Sequence, residues 1–358
     1  MRCSTLESYS EDANIKKPDI TVIIPTQAKE SRDDFFRACI RSVIHQSYPR
    51  EKIEVIVVSD NERVKDIIDT TLTEKIRVFI IDEKSLGGKL NYGIRNASSD
   101  VISFLEDDDE FELTKIERIM KEFSENEDLI YIHDNYTNIN SKSMRVNIPT
   151  QTSRIKMAAR FRWKKFDSKN ITKKEISLLV RSGVLGNNSC ISIRKGWIIP
   201  FINTFNGLNY GVDTLFLFLA LTAKGAIGVI GECLTKYRVY GSNTSNYMMI
   251  EMGRDIGHET FEKLIPVVTR IQDLSNTSSN QDVRLLGSTF YKETEFLFSI
   301  THYKMKRIDI ARALISVVIS GGLNNRILES SILYKGLLAL ISQRRMTSLV
   351  SAARGQER

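Results

Sequence analysis

The sequence predicts an α/β fold: a mainly parallel sheet with helices on both faces, followed by a helical C-terminal subdomain. Three observations lead there. Over residues 19–135, short β-branched runs alternate with stretches whose apolar residues recur at helical spacing. Run after run stops on polar or acidic residues, at Thr26, Asp60, Asp82 and Glu106 to Asp109. Beyond Pro266 there is no proline, and apolar stripes of helical period continue toward the C-terminus.

Each element has its own signal. Residues 1–18 read as a polar, flexible arm ending at Pro18. Residues 20–24 form a first strand, stopped by Pro25 and Thr26, and Phe36, Ile40, Val43 and Ile44 mark one face of a helix. The run 53–58 is a second strand that closes on Ser59, Asp60 and Asn61, which favour turns and caps. Residues 76–81 form a third strand, and Gly87-Gly88 opens a helix from Lys89. Residues 101–105 form a fourth, and Leu113, Ile116, Ile119, Met120 and Phe123 trace the helix after it. A strand over 129–133 ends at His133.

The stretch 136–250 is less regular. Within it, 215–221 reads as a fully buried helix and 232–240 as a strand before Gly241-Ser242-Asn243. Leu286, Phe290 and Leu297, then Ile308, Ala311, Leu314 and Val318, carry the C-terminal stripes. The expected organisation is an arm (1–18), a main domain (19–250, with halves 19–135 and 136–250) and a helical subdomain (251–358).

Composition narrows the class. With 358 residues, 42% hydrophobic and 27% charged, the chain is expected to be soluble and globular, which excludes disordered and collagen-like classes. Cys3, Cys39, Cys190 and Cys233 are widely spaced and form no CxxC pair, which argues against structural zinc and a disulfide scaffold. The N-terminus is too polar for a signal peptide. The most apolar stretch, 215–223, is about half the ~18–20 residues of a membrane span. The expected location is therefore cytoplasmic.

In a parallel sheet, the polar strand ends lie along one edge, where open α/β folds bind ligands. Four consecutive acids at that edge, Glu106 to Asp109, need an explanation. Carboxylates at a helix start gain ~0.3–1 kcal/mol each from the dipole, and two would suffice for that. Four repel one another, and a hard divalent cation offsets the repulsion. The pattern points to a metal and a phosphorylated ligand.

The ordered segments VIIPT (22–26), SVIHQSYP (42–49), IEVIVVSDN (53–61), GGKLNYGI (87–94) and FLEDDDEF (104–111) resemble family 2 glycosyltransferases of the GT-A fold. The likeness is close over 19–125 and weaker to about 245. It implies a Rossmann-like GT-A domain whose first half binds a nucleotide sugar and whose second half faces the acceptor. By that resemblance, Asp60 meets the nucleobase or ribose, Thr26 lies beside the nucleoside, and Lys89 and Asn91 border the nucleotide. Asp108 matches the metal-binding acid of a DxD motif, Glu106 stands where its first Asp usually does, and Asp107 and Asp109 lie beside them, Asp107 counted with the nucleotide-sugar-binding residues. The cofactor implied is Mn²⁺ or Mg²⁺.

Asp213, in Tyr210-Gly211-Val212-Asp213, occurs just before the apolar helix and reads either as a helix N-cap or, by resemblance, as the base that deprotonates the acceptor hydroxyl. Gly186-Asn187-Asn188-Ser189 resembles the family's acceptor-side loop. Arg238 resembles a late basic residue near the diphosphate, though a lone Arg on a strand also suits a surface. The implied reaction is a single inverting transfer to a hydroxyl of a glycan or lipid-linked acceptor. Three positions depart from the family pattern: Ser59 replaces the first acid of the VVDD pair, Glu106 replaces Asp, and Val212 replaces the usual Glu. The QxxRW segment of processive synthases is absent, which favours single-sugar transfer.

Charge adds one further feature. Lys and Arg number 51 against 44 Asp and Glu, a balance of +7, yet residues 154–174 alone hold nine bases and one acid. The rest of the chain therefore sums to −1. Phe161, Trp163 and Phe166 interleave the bases, with periodicity that suits a strand or a helix. Such a strip serves an acceptor phosphate, peripheral contact with an anionic membrane on its inner face, or a lid over the site. Its confinement to one segment argues against nucleic acid as a partner. The competing readings are a metal-dependent nucleotidyltransferase, which would also be expected to show a triphosphate loop, and a non-enzymatic RNA- or membrane-binding protein.

Overall fold

A computed structural model describes residues 17–69, 76–148, 155–156, 158–184, 186–240 and 258–301, with backbone alone for 181, 258–262 and 293–301. The expected arm, the turn at 241–243 and the stripes beyond 301 lie outside the described residues.

β1 (Ile20–Thr26) is β-branched at nearly every position and is fully buried. It pairs in parallel with β2 (Ile53–Ser59) on one side and β4 (Val101–Phe104) on the other, and β2 pairs in parallel with β3 (Arg77–Ile80). The register sets Thr26 opposite Ser59 and Ile23 opposite Phe104. The polar strand ends therefore do gather on one edge. Beyond β4 the sheet is mixed. β8 (Ile191–Arg194) runs antiparallel to both β4 and β6 (Leu129–Ile139), and β6 pairs in parallel with β9 (Ala226–Arg238). β5 (Glu110–Phe111) and β7 (Trp163–Asp167) both run antiparallel along β9. Among the described residues the nine strands form one sheet, ordered β3-β2-β1-β4-β8-β6-β9-β5 with β7 beside β9.

The pleat divides the core in two. Val22 and Ile24 face α1 (Asp33–Ile44), α2 (Val64–Asp69) and α4 (Lys115–Glu125), where Phe36, Ile40, Val64, Ile116 and Phe123 pack. Ile23 and Phe104 face α3 (Leu86–Asn96) and α6 (Val212–Thr222), which is apolar all round and buried, as expected for 215–221. α5 (Lys173–Arg181) is closed by a capping box, Thr172 with Glu175. α7 (His258–Thr277) and α8 (Gln281–Thr301) add Val267, Val268, Ile271 and Val283 to the same apolar layer as α6.

Two expected strands extend further than their apolar runs. β6 continues past His133 to Ile139, and β9 begins at Ala226 rather than 232, because the two pair with each other over that length. The basic segment resolves into helical residues at 155–156 and 158–159, then β7, then the start of α5. β7 lies against residues 226–230, the end of β9 remote from the acidic edge.

Candidate active site

The first cluster forms where β1, β2 and α3 meet. Ser85 caps α3 by accepting the Gly88 N–H (3.1 Å), and the helix then presents Lys89 inward at 2% exposure. Lys89 Nζ donates to the Thr26 carbonyl oxygen (2.8 Å) and to the Asp60 carboxylate. Thr26, Asp60 and Lys89 are thus brought together. A charge this deep is retained because both partners are fixed by adjacent strand ends. Gly87 permits the arrangement: a Cβ there would stand 1.9 Å from the Phe205 carbonyl oxygen.

The acid loop after β4 is the second cluster. Thr26 Oγ1 donates to Asp107 Oδ2 (2.6 Å), joining the two clusters. Arg32 Nη1 lies 3.0 Å from Asp107 Oδ1 and 3.6 Å from Asp108 Oδ2. Tyr240 donates its hydroxyl to Asp108 Oδ2 (2.7 Å). Burial, reinforced by the Asp108 charge, pushes the Glu106 carboxyl up to about 7, and a bond from Asn188 only partly opposes this. Burial and then Asp108 push Asp109 well above the carboxylate range. Burial and then Asp107 raise Asp108. Negative charge is concentrated here beyond what Arg32 neutralises.

Between this loop and α6 runs the turn 187–189. The Asn188 amide donates to Glu106 Oε1 (2.7 Å), and Ser189 Oγ accepts the Glu106 N–H (3.0 Å). On the other side, the Asn187 N–H donates to Asp213 Oδ2 (2.8 Å). Asp213 is not the cap of α6. Gly211 is, at φ +68°, with Val267 too close for a side chain there. Asp213 sits in the first turn and accepts the Thr214 N–H (2.8 Å). Burial raises its pKa against those bonds.

Two expected site residues are placed elsewhere. Asn91 has both ends of its amide engaged, donating to Asn206 (2.6 Å) and accepting from Arg95 (2.8 Å), so it fastens α3 to the residue that follows the 199–205 segment. Arg238 is neither on the surface nor open to a ligand's phosphate: at 1% exposure it donates to the Asp108 carbonyl (2.7 Å), the Asn140 carbonyl (2.8 Å) and Glu110. It braces the acid loop from behind. His133 is buried and neutral, its pKa lowered to about 4 by burial, with Nε2 against the Gly186 carbonyl (2.8 Å).

Three participants escaped sequence reasoning. Arg32 follows an unremarkable polar loop, and Tyr240 lies just past a strand end. Lys115 occupies the first turn of an amphipathic helix, where lysine is normally solvated. The nearest available signal was position: Arg32 follows the polar end of the first strand at Thr26 by six residues, and Tyr240 follows Arg238 by two.

Hard oxygen donors, excess negative charge and the raised carboxyl pKa values fit a divalent cation. Among the described residues, no three His, Cys, Asp or Glu groups converge on one point. A cation here would take one or two protein carboxylates and fill its shell from phosphate and water, which is how Mg²⁺ is commonly held.

The family model described as Glycosyl transferase family 2 matches residues 21–185. An uncharacterized glycosyltransferase of Rickettsia typhi is 26% identical over 319 residues, 86% of this chain and 88% of that protein. One from Rickettsia conorii is 23% identical over 79% of this chain, which spans 46% of that longer protein. Glycosyltransferase GlyA of Streptococcus pneumoniae is 28% identical over 129 residues, 35% of this chain and 18% of its own length. Among solved structures, TarS 1–349 of S. aureus in complex with UDP aligns with a TM-score of 0.54 at 15% identity, covering 95% of this chain and 92% of that one. Its complex with UDP-GlcNAc gives 0.55 at 13% identity, covering 91% and 92%. At such identity the likeness establishes the fold.

Proposed function

We propose that the chain, whose residues 21–185 match the glycosyltransferase family 2 model, moves one sugar, with inversion, from a nucleoside-diphosphate sugar to an acceptor hydroxyl. One observation carries the reading. The 187–189 turn bonds Asp213 on one side and Glu106 on the other, so a base and the acid loop flank a single short turn.

The roles follow from the contacts. Lys89 holds Asp60 toward the nucleobase or ribose, and Thr26 borders the nucleoside while steadying Asp107. Asn91 and Arg238 support the site from outside it. Asp108 and Glu106, with Asp107 beside them, would hold Mn²⁺ or Mg²⁺. When bound, the ion supplies Lewis-acid stabilisation of the leaving diphosphate. Asp213 takes the acceptor proton; the acceptor oxygen bonds the anomeric carbon as the bond to the diphosphate breaks on the opposite face. A raised pKa makes Asp213 a stronger base than a solvated aspartate.

The acceptor is a glycan or a lipid-linked sugar. Lys156, Arg160, Arg162, Lys165, Lys169 and Lys174 are exposed beside the outer edge of the sheet, a surface for an anionic membrane. No helix of the described residues is long and apolar enough to cross one. The TarS complexes make UDP-sugars the first donors to try.

The test is calorimetry with UDP-glucose, UDP-N-acetylglucosamine and GDP-mannose in Mn²⁺, on wild type and Asp108→Ala. Binding by wild type and its loss in the variant are expected. No binding to any donor, or equal binding by the variant, overturns the reading.

A further inference from the structure

The 187–189 turn has features that holding two carboxylates does not require. Asn187 adopts φ +75° and ψ 94°, a region that L-residues rarely occupy and glycine occupies freely. Its Oδ1 accepts the Ser189 N–H (2.9 Å), which fixes the amide's orientation and turns Nδ2 away. That Nδ2 is a buried donor with no partner. The neighbouring Asn188, 5% exposed, is fixed in turn by the bond from its Nδ2 to Glu106, and its Oδ1 is a buried acceptor with no partner. Leaving either atom unsatisfied is unfavourable, because a buried polar group forfeits its bonds to water without replacement. Adjacent residues thus carry one idle donor and one idle acceptor, beside a strained backbone.

A hydroxyl group both donates and accepts, and so matches both kinds of idle atom. Resting on the proposed transfer, in which the sugar lies between the acid loop and Asp213, we propose that Asn187 Nδ2 and Asn188 Oδ1 form a recognition site for a ring hydroxyl of the transferred sugar. The strain at Asn187 is retained because the carboxamide is needed where glycine would be more comfortable. The site reads the sugar and not the nucleotide, since neither amide touches Thr26, Asp60 or Lys89. Such a site discriminates strongly: a sugar whose hydroxyl is absent or epimeric leaves buried polar atoms unpaired.

Asn187→Gly is the informative variant. Glycine accepts the positive φ and is itself a favoured N-cap residue, so the turn keeps its shape and folding. Asn188→Ala is the second. Dissociation constants for UDP, UDP-glucose, UDP-galactose, GDP and GDP-mannose are measured by calorimetry in Mn²⁺ for all three proteins. The expected result is that Asn187→Gly leaves the bare diphosphates within about twofold of wild type, while the preference among sugars of one nucleotide falls roughly tenfold. Unchanged sugar preference in both variants would make the pair the seat of an internal water and overturn the proposal. Equal weakening of UDP and UDP-sugar would reduce it to support of the acid loop, leaving the transferase reading intact. Wild type that binds no nucleotide overturns that reading itself, and the proposal with it.

Discussion

Lys115 Nζ lies 2.6 Å from Asp134 Oδ1, and both side chains are 0% exposed. The lysine also donates to the Ser189 carbonyl (2.6 Å) and to Thr235 Oγ1 (2.8 Å), and Thr235 donates to Asp134 Oδ2 (2.7 Å). A buried pair so fully satisfied fixes α4, β6, β9 and the 187–189 turn against one another, directly behind the acid loop.

Breaking it from one side strands a buried carboxyl. Burial already pushes Asp134 up to about 6 with the ammonium opposing it, so Lys115→Met drives the carboxyl higher, leaves it unpaired in the interior and is expected to lower unfolding free energy by about 3–5 kcal/mol. Replacing both members, Lys115→Met with Asp134→Leu, removes the stranded carboxyl and is expected to recover most of that loss. Urea unfolding of the three proteins decides it. A double variant as unstable as the single one would show that the pair is more than a mutual neutralisation.

Gly87→Ala probes the seat of α3. The added methyl meets the Phe205 carbonyl oxygen, a backbone atom that cannot rotate away, so α3 must shift and carry Lys89 with it. Loss of 1–3 kcal/mol or so of stability is expected, together with weaker nucleotide binding. Gly196→Ala, where a Cβ meets nothing within 4 Å, is the control, and should leave both unchanged apart from local backbone effects.

Lys89→Met tests whether Asp60 works alone. Without the ammonium, the Asp60 carboxylate loses its fixed orientation and the Thr26 carbonyl loses a charged donor. Hydrogen bonds to charged groups contribute roughly 1.5–3 kcal/mol, so nucleotide affinity should fall about 10- to 100-fold. Calorimetry with UDP and GDP measures it. Affinity within twofold of wild type would place the nucleoside away from Asp60.

The acidic edge was legible because it depends on a local rule: each buried parallel strand ends where its β-branched run ends, and parallel strands end together. The reversal at β8 was not. Residues 191–194 are short, and their direction is set by pairing with β4 and β6, partners far away in the chain. The undecided periodicity of 154–174 has a similar cause, since β9 alone determines that 163–167 extend. The burial of Lys115 and Arg238 was not legible for the same reason. Their acceptors come from segments up to 120 and 130 residues distant, which no window of sequence brings together. Asn188 was seen only as part of a loop, because idle polar atoms become visible once their neighbours are fixed.

Asp213 joins function to pH. Its carboxyl is raised by burial, so the folded protein holds a proton on it to higher pH than the unfolded chain does. By linkage, its stabilising contribution is complete below the unfolded value of 3.8 and is lost as pH rises through the folded one. Asp213→Asn cannot ionise, so the stability of the variant relative to wild type should grow with pH across that window, as thermal melts in acetate and neutral buffers would register. Catalysis runs the opposite way, because transfer needs the ionised form. Wild-type kcat should decline on the acid side at a pH above that of an ordinary aspartate. The variant should bind donor normally while kcat drops about 10²–10⁴-fold. Full transfer by Asp213→Asn would assign the proton to another group.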